Sequence, residues 1–214
     1  LARETETIRA EPGSLAALMR GRVLELPLES QKAMLLTALS ADPSIAMLQR
    51  AGVASPKTDL AAAIDANVLT IDAGAVRFSH PLLASAAVEV FDEVDRRWAH
   101  AALADGAESD EERARHLGRA TTTPDEAIAA ALESAAVVAR QRGALAVSAQ
   151  LLVESAELTP VVDDDRRGRR LLDAGHSCFA AGDIDKARSL FQTLVTAFPE
   201  SAIRVEARWR LGTV

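Results

Sequence analysis

The sequence predicts a mostly α-helical chain with one small β-hairpin in its N-terminal half and an array of antiparallel helix hairpins behind it. Three observations carry this. The composition is 49% apolar yet only 3% aromatic, with no Tyr, so the core must be built from Ala, Leu and Val. A single stretch, Val68–Phe78, reads as two β-prone runs around a turn. In the C-terminal half, Gly and Pro markers recur 39 residues apart.

The 214 residues are enough for one domain or two small ones. Alanine has the best intrinsic helix propensity and lets neighbouring backbones approach closely, which favours packed helices. The net charge of −7 gives no general attraction to phosphate backbones, so no direct nucleic-acid contact is expected. One cysteine, Cys178, excludes an internal disulfide, and a cytoplasmic setting is expected. No run approaches the ~18 apolar residues of a membrane span, and the start LARETETIRAEPGS lacks the apolar core of a signal peptide. The absence of an initiator Met reads as the mark of a fragment or processed chain.

Along the chain, Leu1–Gly13 is polar and irregular, and Ser14-Leu-Ala-Ala-Leu-Met resembles a capped helix start. Residues 1–26 are expected to be a linker or the end of a preceding domain. Ser30 is placed to cap a helix carrying Ala33, Met34, Leu36, Ala38 and Leu39, interrupted by Asp42-Pro43. Short helices follow near Ser44–Ala51 and Thr58–Ala66, separated by Gly52 and Ser55-Pro56. The hairpin turns at Asp72-Ala-Gly74. Helices over Pro81–Phe91 and Glu93–Asp105 complete a winged-helix arrangement spanning 27–105. After Gly106, Glu108-Ser-Asp-Glu-Glu starts a short helix through His116, and Thr121-Thr-Thr-Pro-Asp-Glu starts another.

The whole span 106–214 is assigned to tetratricopeptide-like helical repeats, the third truncated. Gly143 precedes Pro160 by the same 17 residues that separate Gly182 from Pro199. At the shared offset Leu132 pairs with Leu171, Ala135 with Ala174, Ala136 with Gly175, Ala139 with Cys178, Ser148 with Ala187, and Leu152 with Phe191. Glycine allows the tight turn, small residues let the two helices touch, Leu or Phe fills the groove, and Pro ends the second helix. Val161-Val-Asp-Asp-Asp-Arg-Arg is read as a charged linker between the units. Arg208-Trp-Arg-Leu-Gly212 looks like the first helix of a third unit, cut short.

These markers resemble the tetratricopeptide repeat, most closely in the second unit through Ala174-Gly175, Ala187, Phe191 and Pro199. The first unit departs from it, with Ala139 and Leu152 where that family usually has rings, and the spacing exceeds the usual ~34. The ordered segments Val76-Arg-Phe-Ser-His-Pro-Leu-Leu, Arg96-Arg-Trp-Ala-His100, Arg113-Ala-Arg-His-Leu-Gly and Ala139-Arg-Gln-Arg-Gly143 resemble large LuxR-type, MalT-like, ATP-dependent transcriptional regulators over about residues 20–200. That resemblance implies a parent with an N-terminal STAND-type ATPase that binds ATP or ADP, a winged helix, helical repeats and a C-terminal helix-turn-helix. It makes residues 1–26 the end of the ATPase lid region, and makes the ATPase domain of the same chain one partner. No G-x-x-x-x-G-K-[ST] loop occurs, so the segment itself is expected to be neither an enzyme nor a holder of cofactor or metal.

The resemblance further implies that His80 reaches the β-phosphate of ADP bound in the parent, although Pro81 stands where the family motif often continues with Asp. Read from the residues alone, His80 is a helix-capping histidine. Arg166, Arg167, Arg169 and Arg170 are read as a solvated helix edge paired with Asp163–Asp165. The acidic runs Glu108–Glu112 and Asp163–Asp165 are read as solvated loops. His100, His116 and His176 lack ligand spacing, and Cys178 falls on an inner stripe, so all four are read as packing residues. The helix Thr58–Asn67 offers only Lys57 nearby and two acids, a poor DNA reader. The functional expectation is a signal-coupling segment in which an effector or protein bound on the repeats sets an ATPase switch. The alternative is a free-standing repeat adaptor that binds an extended peptide.

Overall fold

The N-terminal unit begins with a capped helix. In this computed structural model, which describes residues 14–198 and 202–213, the Ser14 hydroxyl accepts the Ala17 N–H at 3.2 Å and starts α1 (Leu15–Leu24). Among the described residues the fold is mostly α with one two-stranded antiparallel sheet, and the chain divides into two units between Gly106 and Ala107. Val23 of α1 is fully buried in the first unit's core, so the span expected as a linker over 1–26 contains a packed helix of this unit. Its residues 1–13 lie outside the described residues.

Helix α2 (Leu28–Leu39) starts directly after Pro27, whose φ of −54° already suits a helix entry. Ser30 is therefore inside the helix rather than at its cap, and its buried hydroxyl donates to the carbonyl of Asp59. Met34, Leu35 and Leu36 are completely buried. Ser44 caps α3 (Ile45–Arg50) by accepting the Met47 N–H at 3.1 Å. The helix expected over 58–66 is two short ones, α4 (Pro56–Asp59) and α5 (Ala61–Asp65), hinged at the fully buried Leu60.

Strands β1 (Leu69–Asp72) and β2 (Ala75–Phe78) pair with Leu69 opposite Phe78 and Asp72 opposite Ala75. The two-residue turn needs positive φ at both positions, supplied by Ala73 at +49° and Gly74 at +88°. A bridge between Ser44 and Ala75, with the Ile45 N–H on the Gly74 carbonyl, pins the hairpin to the start of α3. Helices α6 (Pro81–Glu89) and α7 (Glu93–Asp105) follow, the second capped by Asp92 on the Val94 and Asp95 N–H groups. Leu83, Ala87, Ala99 and Leu103 close the same core.

The second unit is a run of helices: α8 (Asp110–Ala120), α9 (Glu126–Gln141), α10 (Leu145–Glu157), α11 (Asp164–Ala180), α12 (Ile184–Ala197) and α13 (Ala202–Leu211). Helix α8 runs on past His116, and its acidic run is its first turn, capped by Ser109. Between α10 and α11 only a 3-10 turn, Val161–Asp163, stands where a longer charged linker was expected. Asp163 caps α11, and the acids and arginines after it are helical, which aligns Asp164 and Asp165 with the positive end of the helix dipole.

The two hairpin turns are copies. Gly143 (φ +81°) and Gly182 (φ +83°) each end a helix in the left-handed conformation. The next N–H reaches back over the turn, Ala144 to Ala139 at 2.9 Å and Asp183 to Cys178 at 3.0 Å. This is the glycine-terminated helix stop, which satisfies carbonyls that the helix end leaves open. Pro160 does not end α10 itself, which stops at Glu157, but opens the 3-10 turn. Pro199 lies outside the described residues.

Size complementarity fixes the packing inside each hairpin. A Cβ on Gly175 would stand 2.5 Å from Phe191 Cε1, so the ring is admitted only because residue 175 has no side chain. One repeat earlier, Ala136 and Leu152 are both buried in a single cluster. That hairpin carries a larger small residue and a smaller large one at the matching positions.

Candidate functional site

The most tightly organised polar cluster among the described residues lies at the junction of α9, α10 and α11. Arg170 is only 1% exposed. Its Nε donates to Glu133 at 2.9 Å, Nη1 to Glu126 at 3.0 Å and to Thr159 at 2.6 Å, and Nη2 to Glu126 at 2.8 Å. Thr159 in turn donates to the Ser155 carbonyl. Glu126 and Glu133 are seven residues apart, which places both on one face of α9. Arg166 adds a second contact to Glu126 and pairs with Asp163.

This corrects the reading of 166–170 as a solvated edge: Arg167 does pair with Asp164 at the surface, but Arg170 is a core residue. The buried guanidinium loses hydration, and four hydrogen bonds to two carboxylates and a hydroxyl take its place, the condition under which a buried ion is tolerated. The hydrogen bond from Arg170 holds the Glu126 carboxyl below its ordinary range. Burial pulls the Arg170 pKa down, and the bonds from Glu126 and Glu133 raise it above the ordinary value. The cluster is a charge lock between consecutive repeats.

Beside it, α8 and α9 form an open groove of about 560 Å³. Ala114 and Leu117 of α8 and Ala131, Ala135 and Val138 of α9 make its apolar floor. Glu111, bonded to Arg115 at 2.8 Å and to Arg142 at 2.7 Å, closes one end. Glu111 is thus a paired helical residue and not part of a solvated loop. Val138, at the open side of this groove, is 52% exposed.

The repeat-packing residues Leu132, Ala135, Ala136, Leu152, Leu171, Ala174 and Ala187 are buried with Phe191. His116 is buried, and desolvation lowers its pKa, as it does for the half-buried His176. His176 lies between Asp173 and Glu206, at 4.0 and 3.5 Å. Burial also raises the Cys178 thiol, which makes it a packing group rather than a nucleophile. No cluster of three or more potential metal ligands occurs among the described residues.

In the first unit His80 is the N-cap of α6: its Nδ1 accepts the Leu82 N–H at 3.1 Å. That bond assigns the ring proton to Nε2, which leaves an exposed donor. No single helix among the described residues is long and apolar enough to cross a membrane.

Comparison with protein-family models, with curated proteins and with solved structures returns no significant match.

Proposed function

We propose that this chain is the signal-coupling segment of a larger LuxR-type, ATP-dependent transcriptional regulator. An effector or protein partner binds the helical repeats, and the hairpin-bearing unit relays that event to an ATPase domain of the same chain. The observation that carries this reading is the order of two differently built units. A helical unit with a hairpin pinned to α3 is followed directly by stacked hairpins with identical glycine turns. Repeats of this kind offer extended binding surfaces and leave apolar faces for a neighbour to cover.

The coupling would be a shift between a closed, ADP-holding state and an open, assembling one, driven by the partner's different affinity for the two. His80 supports this: its Nε2–H is an exposed donor of the kind a phosphate oxygen accepts. The test is the full reading frame and its product. A phosphate loop encoded upstream and ADP co-purifying with the parent protein are expected. A reading frame without that loop would leave the free-standing adaptor as the reading.

A further inference from the structure

Within the array each first helix is seated on the seam between two others. The stripe Arg170, Ala174 and Ser177 of α11 is covered by α9 and α10: Arg170 bonds Glu126 and Glu133, Ala174 is fully buried in the cluster that holds Leu132 and Leu152, and the Ser177 hydroxyl lies 3.4 Å from that of Ser148. The positions 39 residues earlier are Ala131, Ala135 and Val138. These line the α8–α9 groove: Ala135 is buried against Ala114 of α8, Ala131 is half-buried, and Val138 is exposed at the open side.

We infer that the α8–α9 groove is the docking site for an amphipathic α-helix of a partner protein, seated on α8 and α9 as α9 is seated on α10 and α11. This rests on the reading of the repeats as a partner-binding arm and names the seat. Continuity with the internal interface defines the occupant. In α9 the face turned to its own seam carries Ala129, Leu132, Ala136 and Ala139, all buried, with Glu126 and Glu133 at its margin. A partner helix therefore presents an Ala/Leu stripe at helical spacing. The groove adds a requirement of its own: Arg113 lines it, is exposed and makes no ion pair among the described residues, so a carboxylate on the partner helix completes that lip. The volume fits the side chains of about two helical turns.

A labelled synthetic peptide of residues 125–142 is the probe, because it carries this stripe and these carboxylates. Fluorescence anisotropy with the full 214-residue chain should show saturable binding. Val138→Glu and Ser134→Trp, both at exposed positions, should weaken it at least tenfold with the helical circular dichroism unchanged. Ala131→Arg, which places a guanidinium at the counterpart of Arg170, should tighten it several-fold. Binding that ignores all three groove variants overturns the seat. Weakening by Arg170→Met but not by Val138→Glu means that the peptide replaces α9 in the internal seam, which also overturns it. Self-association of the chain that Val138→Glu abolishes would give the groove to a second copy and overturn the partner assignment. None of these failures touches the co-purification of ADP with the parent, so the coupling reading stands or falls separately.

Discussion

Arg170 shows how much one position can depend on its neighbours. Its guanidinium makes four hydrogen bonds to two carboxylates and a hydroxyl, and removing it leaves Glu126 with Arg166 alone and Glu133 without its cation. Arg170→Ala is expected to destabilise the second unit by about 1–3 kcal/mol, because hydrogen bonds to charged groups are lost while the carboxylates left behind reach solvent, read as a fall in urea midpoint. Gly175 is set by sterics instead. Gly175→Ala drives a methyl into Phe191 and should cost about 1–3 kcal/mol. Adding Phe191→Leu recreates the Ala136/Leu152 pair of the preceding repeat, so the double variant should be more stable than Gly175→Ala alone in the same denaturation assay. If the second change only adds to the loss, the size-matching account of the hairpin is wrong. The spacing of small residues made Gly175 legible in the sequence. Arg170 was not, because a dense basic run beside three acids has the same composition whether it lies on the surface or reaches inward. The signal that could have found it was the seven-residue spacing of Glu126 and Glu133 on one helix face.

At the scale of elements, helix ends were the most legible feature where chemistry forces them. Gly143 and Gly182 stop helices because only glycine adopts positive φ without cost, and Asp92 and Asp125 start them by accepting two N–H groups each. Ser30 misled for a physical reason: Pro27 had already opened the helix, and the serine hydroxyl found Asp59 instead. The break at Leu60 left no local sign, since Leu is a good helix former and only its burial at the bend separates α4 from α5. The hairpin turn carries the one strained non-glycine position of the sheet, Ala73 at φ +49°. Ala73→Asn or Ala73→Gly should stabilise the first unit by about 0.5–1 kcal/mol, seen as a raised thermal midpoint.

For the whole molecule, pH links the buried groups to stability. Desolvation holds His116 and His176 below 6.5, so the unfolded chain takes up these protons first as pH falls. Their contribution is complete above that ordinary value and is lost as pH drops through the lowered ones. Glu126 acts in the same sense at lower pH, its contribution present above 4.5 and lost as its depressed carboxyl is protonated. Asp173, raised by burial, opposes this: its contribution is present in acid and is lost as pH rises. The urea midpoint should fall between pH 7 and pH 5.5, and His116→Gln with His176→Gln should flatten that slope. The division near Gly106 was legible because a hairpin pattern gives way there to a repeat pattern, whereas the α8–α9 groove was invisible until α9 was seen to leave Val138 uncovered.

The coupling of this segment to a nucleotide switch is tested most directly at His80. His80→Asp keeps a side-chain acceptor for the Leu82 N–H, and with it the cap of α6, while replacing the Nε2–H donor by a negative charge. The measurement is the rate at which radiolabelled ADP leaves the purified parent protein. The account predicts release at least tenfold faster from the His80→Asp protein than from the native one, with equal thermal stability. Equal release rates from the two would contradict it.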